Sequence, residues 1–200
     1  MSSTIPPEIE GLLERPGPGS HRMVITVDGA SVETLADLPP LRDRLLFVAL
    51  RPSPPSVEAG HAYGDDGSRS LWEALGTADI VPVGTVPAAG DDTLVAAGHG
   101  LTFLYRVPAP RHEPSDAALR AGVGPLWQKV AIWRPAAVVF IDARAAEVVA
   151  SRAIVEPWGQ LDGVALSGRP CFLMPREGAS AKDVSAGLNF LRNLGASLPR

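Results

Sequence analysis

The stretch Leu45-Leu46-Phe47-Val48-Ala49-Leu50, followed at once by Arg51-Pro52-Ser53, decides the fold. An unbroken apolar run that stops at a proline reads as a strand buried on both faces and emptying into a loop. Ala136–Ile141 is a second such run, and Pro170–Met174 a third. Strands of this kind belong to parallel sheets covered by helices on both sides. Helical patterns fill the intervals. From Ser115 and Asp116, which read as an N-cap, Leu119, Val123, Leu126, Val130 and Trp133 recur at helical spacing until Pro135. Helices are also expected from Ser68 or Arg69 through Leu75, over Ala143–Ala150 and over Asp183–Leu194. The fold class is therefore α/β, a three-layer α/β/α domain around a mostly parallel central sheet.

The remaining segments read less regularly. Pro6-Pro7 and Pro16-Gly17-Pro18-Gly19 mark residues 1–22 as a flexible N-terminal arm, leaving 23–200 as a single domain. Met23–Val27 with Asp28-Gly29 is a short strand and tight turn, Val32–Leu38 a short helix, and Leu101–Tyr105 a strand. In open parallel sheets the loops leaving the strand C-termini form the ligand crevice. That rule points to the segments after Leu50, Tyr105, Ile141 and Met174.

Composition narrows the function classes. The 200 residues are 46% apolar and 20% charged, which suits a globular domain with a full core. A single cysteine, Cys171, excludes an internal disulfide and any multi-thiolate metal site. The four histidines, His21, His61, His99 and His112, are scattered without metal-ligand spacing, so no metal and no cofactor is expected. No apolar run nears the roughly 20 residues that span a bilayer, and the polar, acidic N-terminus does not suit a signal peptide. A cytoplasmic monomer that avoids membranes is the expectation. Charge is uneven: residues 1–100 carry 6 Lys/Arg against 14 Asp/Glu, residues 101–200 carry 12 against 8. The net charge of −4 opposes long-range attraction to nucleic acid, while the basic half permits a local patch.

Three segments in order, Leu45–Ser53, Gly60-His61-Ala62-Tyr63 and Ser68–Leu75, resemble the uracil-DNA glycosylase superfamily in its mismatch-specific, thymine/uracil-excising branch. The resemblance extends over roughly residues 41–194. It implies a crevice for a base flipped out of DNA, and N-glycosidic hydrolysis through an oxocarbenium-like state. It also implies a water-positioning side chain, an aromatic stacked on the base and donors to the departing base.

Several positions depart from the family pattern. Arg51 stands where the branch carries its water-positioning Asn, ahead of the matching Pro52 and Ser53. A guanidinium has donors only and takes no proton near neutral pH, so Arg51 suits a phosphate, a carboxylate or the leaving base, or a structural carboxylate partner. In the second motif, Tyr63 belongs to the turn that shapes the pocket, and His61 is either a proton carrier or structural. Leu71 replaces the stacking Phe, Arg69 falls near the family Asn, and Trp72 is expected in the core. Phe103 takes a polar position in Gly100–Leu104. Asp142 and Arg144 occupy the loop after Ile141, where Asp142 is either the catalytic base or the cap of the next helix. After Met174-Pro175, Arg176-Glu177 precede the small Gly178-Ala179-Ser180 of the family's DNA wedge.

These residues support two functions. One is a DNA glycosylase that removes uracil or a related base from mismatched duplex or single-stranded DNA, with Asp142, Asp65 or His61 supplying the polar group. The other is a glycosylase-fold protein that binds or processes a nucleoside or other small molecule without excising uracil.

Overall fold

The computed structural model describes residues 15–108, 114–176 and 178–198. Five strands form the central sheet: β3 (Leu45–Ala49), β4 (Gly100–Phe103), β5 (Ala137–Phe140), β6 (Gly159–Leu166) and β7 (Arg169–Leu173). Their order is β4-β3-β5-β7-β6; the first four are parallel and β6 runs antiparallel beside β7. Among the described residues seven α-helices accompany the strands. They are α1 (Pro54–Ala59), α2 (Arg69–Thr77), α3 (Gly90–Ala96), α4 (Asp116–Ala121), α5 (Val123–Trp133), α6 (Ala143–Ala150) and α7 (Ala181–Ala196). The architecture is α/β/α, with a mostly parallel central sheet.

Side chains alternate across each strand, which explains why the strands are apolar throughout. Leu45, Phe47 and Ala49 join Trp72, Leu75, Leu94 and Leu188 on the face of α2, α3 and α7. Leu46 and Val48 join Leu126, Val130, Trp133 and Ala145 on the face of α4, α5 and α6. Every residue of β3 is buried. At about 1.5–3 kcal/mol for each large apolar side chain removed from water, this double-sided burial fixes β3 at the centre.

Two local expectations change, and one strand has no expectation to match. Val32–Leu38 is not a helix: Ala30–Leu35 is a strand, β2, paired antiparallel with β1 (Arg22–Val27). The two-residue Asp28-Gly29 turn, both residues left-handed, sets Val27 opposite Ala30 and commits the chain beyond it to extended pairing. The helical run from Ser115 is two helices rather than one. Ser115 caps α4 by accepting from Ala118 N at 3.2 Å, and the chain breaks at Gly122, where a Cβ would lie 2.0 Å from the Leu104 carbonyl oxygen. Strand β6 lacks a continuous apolar run because one of its faces is exposed, and it escapes a search for such runs.

Of the expected arm, residues 1–14 lie outside the described residues. Residues 15–22 bond to the domain: Arg15 Nη2 donates to the Val95 carbonyl, Gly19 N to Asp92 Oδ2 at 3.0 Å and His21 N to the Gly60 carbonyl at 2.8 Å. No described helix is long and apolar enough to cross a membrane.

The topology also opens a crevice at the strand ends. From β3 the chain moves to β4 on one side and then crosses back to β5 on the other. The loops after β3 and β5 therefore diverge side by side, which is the geometry of a topological switch point.

Candidate functional site

At that switch point Leu50, Arg51, Pro52, Ser53, Pro54, Tyr63 and Asp142 line a cavity of about 300 Å³. The loop is held short because Ser53 caps α1, accepting from Ser56 N at 3.1 Å and donating to Ser56 Oγ at 2.9 Å. Tyr63 also borders a second cavity of about 420 Å³, whose walls include Ser68, Leu71, Ile141, Met174 and Arg176. The lining of this second chamber is mostly apolar, with the hydroxyl-bearing Tyr63, Ser68 and Ser70 and the guanidinium-bearing Arg176 among it. That mixture suits a flat, partly polar ligand.

Tyr63 is the shared wall. Its backbone is left-handed, with φ of 54°, and Trp72 Nε1 donates to its carbonyl at 2.9 Å. Burial, followed by the charge of Asp142, pushes the Tyr63 hydroxyl well above the usual phenol range. It stays protonated in neutral solution and can both donate and accept. Asp142 performs the capping role as well as facing the cavity: its Oδ1 accepts from Arg144 N at 2.7 Å and Ala145 N at 3.3 Å. Both capping bonds fall on that one oxygen.

Of the side chains expected at the site, Arg51, Pro52, Ser53, Tyr63, Leu71, Asp142 and Arg176 line one or other of the two cavities. Arg176 spends part of its guanidinium on the Ile154 carbonyl. Four candidates lie elsewhere. His61 lines neither cavity; its Nδ1 is 2.9 Å from Asp91 Oδ1. Arg69 is exposed, 3.6 Å from Asp66. Arg144 pairs with Asp116 and Glu147 around a separate cavity of about 520 Å³. Ser180 caps α7, bonded to Asp183 N at 3.1 Å and to Asp183 Oδ2 at 2.6 Å. Phe103 is buried in the core, so its place in the motif does not translate into contact with a ligand. Asp65 ties Ser56 Oγ at 3.3 Å to Ser68 Oγ at 3.1 Å, and lines neither cavity. Glu177 lies outside the described residues.

Two polar clusters lie away from both cavities, and the sequence motifs single out only His61 among their ionisable members. Lys129 Nζ, buried, is 2.9 Å from Asp37 Oδ2 and 3.0 Å from Thr102 Oγ1, while Arg106 Nη1 is 3.3 Å from Asp37 Oδ2. The second cluster holds His21, His61, Asp91 and Asp92, with one donor atom from each lying within 4.8 Å of all the others. The histidines that look scattered along the chain thus include two that meet in space. Burial pushes the Asp91 carboxyl above its ordinary range, against the bonds from His61 and from Ala62 N that favour its charged form. Sequence spacing hides this cluster because its members come from three separate segments. The adjacent pair Asp91-Asp92 in the first turn of α3 is its only visible sign.

No protein-family model matches the chain, and no curated protein matches it.

Proposed function

We infer that the protein is a DNA glycosylase-like N-glycosyl hydrolase that takes uracil or a related base, everted from DNA, into the strand-end crevice. The observation that carries this reading is the meeting of Asp142, Arg51, Tyr63, Leu71 and Arg176 around two cavities at the sheet's switch point. The base enters the larger chamber, against Leu71, Ile141 and Met174, with Arg176 and the Tyr63 hydroxyl facing its carbonyl oxygens. The sugar and its phosphate lie in the smaller chamber beside Arg51 and Asp142.

Hydrolysis then needs no cofactor. A water oxygen bonds to C1′ and its proton passes to the Asp142 carboxylate. The C1′–N bond breaks, and its electron pair leaves with the base, stabilised by Arg176. Arg51 replaces the amide expected at its position and serves the phosphate rather than the water.

The reading is tested with oligonucleotides carrying one uracil, single-stranded and opposite adenine or guanine, incubated with the protein and then treated with alkali. Cleavage at the uracil is expected. Intact strands at several-fold protein excess rule out uracil excision.

A second reading, in which the same crevice serves a free nucleoside or another small molecule, draws on the net charge of −4 and on the cation at position 51. Salt dependence separates the two. Duplex binding loses affinity steeply with salt, because phosphate contacts release counterions, whereas a neutral nucleoside gives a flat response.

A further inference from the structure

We propose that His21, His61, Asp91 and Asp92 form a structural site for a divalent transition metal, zinc by preference. The site is independent of the crevice chemistry, and the roles of the strand-end loops do not bear on it.

The donor set fits. Two imidazoles and two carboxylates give the N₂O₂ combination that borderline divalent ions accept. Four donor atoms lie within 4.8 Å of one another. A tetrahedral ion with bonds of about 2.0–2.1 Å needs its ligand atoms about 3.3 Å apart, so modest side-chain adjustment closes the site. Two of the separations are already short: His21 Nε2 to Asp92 Oδ1 is 2.8 Å and His61 Nδ1 to Asp91 Oδ1 is 2.9 Å. His21 Nε2 lies 3.9 Å from Asp91 Oδ2.

Charge is the stronger argument. Asp91 is fully buried and the Asp92 side chain is one-fifth exposed, and the two are neighbours in the chain. Among the described residues neither forms an ion pair with a lysine or arginine; their partners are His21 and His61. Two adjacent carboxylates shielded from water cost several kcal/mol unless compensated. A dication cancels both charges, and two neutral imidazoles complete the shell.

The carboxylates are also pre-oriented by the backbone. Ala62 N donates to Asp91 Oδ2 at 2.7 Å, Asp92 N to Asp91 Oδ1 at 2.9 Å and Gly19 N to Asp92 Oδ2 at 3.0 Å. Outer bonds of this sort hold metal ligands in place. With four protein donors the site is closed, as structural zinc sites are. It staples the segment before β1, the turn after α1 and the start of α3. His61 lies two residues from Tyr63, so the metal steadies the crevice wall through the backbone.

The test uses the untagged full-length protein, stripped with EDTA and then dialysed against Zn²⁺ or Co²⁺. Expected are about one equivalent of retained zinc, intense visible ligand-field bands for the cobalt form, and a rise in Tm on adding zinc that EDTA reverses. His61→Gln and Asp92→Asn weaken binding at least ~10-fold. His61→Cys, which keeps a zinc donor, retains the metal, as does the control His99→Gln. Retention of less than about a tenth of an equivalent by the unaltered protein overturns the site, whatever the variants do. So does a stoichiometry unchanged in folded His61→Gln protein, which marks the metal as bound elsewhere.

Discussion

Trp72 Nε1 donates to the Tyr63 carbonyl at 2.9 Å, so the fully buried indole of α2 holds the wall shared by the two strand-end cavities. The ring is in turn pressed against the first residue of α3. A Cβ at Gly90 would lie 2.1 Å from Trp72 Cε2 and 2.4 Å from Cδ2. Replacing Trp72 by Phe leaves the Tyr63 carbonyl unmet and opens space beside Gly90, at a cost of about 1–3 kcal/mol. Gly90→Ala costs a similar amount by overpacking, and less of it in a Trp72→Leu background, where the ring is gone. Urea unfolding of the single and double variants measures both. Additive losses would show that the two positions do not share the strain.

Asp142 both caps α6 and faces the smaller cavity, and one substitution separates these roles. Asn caps a helix as well as Asp does, so Asp142→Asn leaves stability within about 0.5 kcal/mol of the unaltered protein. In the proposed hydrolysis it removes the carboxylate that would accept the water proton, and base release is expected to fall by about 10²-fold or more. Asp142→Ala loses about 1 kcal/mol of stability in addition. Equal activity of the Asn variant and the unaltered protein in single-turnover assays would remove Asp142 from the chemistry and leave it a cap.

Arg51→Asn introduces the amide carried by the motif that this segment resembles, yet strong excision should not result. Leu71 still lines the chamber where a stacking ring would lie, and stacking is worth about 1–3 kcal/mol per base. The expected change in uracil release is less than ~10-fold at saturating enzyme, because the stacking contribution is still missing. A large gain from this one change contradicts the division of labour assigned to the crevice.

How much of the fold and the site is legible in the chain depends on the range of the interactions. Leu45–Leu50 announces a buried strand because each of its residues faces one core or the other, a property written in the run itself. Arg51, Tyr63, Leu71, Asp142 and Arg176 can be placed at one crevice because strand-end loops of a parallel sheet converge by topology. His61 and Phe103 sit in the same motifs but face away, since motif membership does not determine side-chain direction. The Asp37–Lys129 pair spans 92 residues, and the His21–Asp92 pair 71. Such partnerships arise only from tertiary packing, and no local pattern carries them. Strand β2 is hidden for a related reason: Val32–Leu38, taken alone, suits a helical turn, and the hairpin pairing that overrides it depends on β1.

The Asp37–Lys129 pair gives its own prediction. Lys129 is 6% exposed, and burial works against its charge while Asp37 supports it. Asp37→Leu strands the ammonium with only Thr102 as a described neighbour and costs about 3–5 kcal/mol. Lys129→Met costs less, because Arg106 remains beside Asp37. The double variant recovers part of the loss, since two apolar side chains replace a desolvated pair. Chemical denaturation of the three proteins decides the matter. A double variant no better than Asp37→Leu alone counts against the stranded charge as the cause.

His99 predicts an acid limb to the stability. Its Nδ1 accepts from Leu45 N at 3.2 Å at the start of the central strand, and its ring meets Phe47 edge-on. Burial, and then the nearby Arg44 charge, push the imidazole down to about 4 from an ordinary 6.5. Between those values the unfolded chain binds a proton at this position and the folded chain does not. Stability from His99 is therefore fully present above 6.5 and declines as pH falls toward about 4. The separation corresponds to roughly 3 kcal/mol across that window. His99→Asn keeps an acceptor for Leu45 N but cannot titrate. Its unfolding free energy, measured in urea from neutral pH to about 4, should lose less than that of the unaltered protein, so the two profiles draw together as the solution is acidified. Parallel profiles over that range would show that His99 takes its proton without leaving its place, and that acid unfolding begins elsewhere.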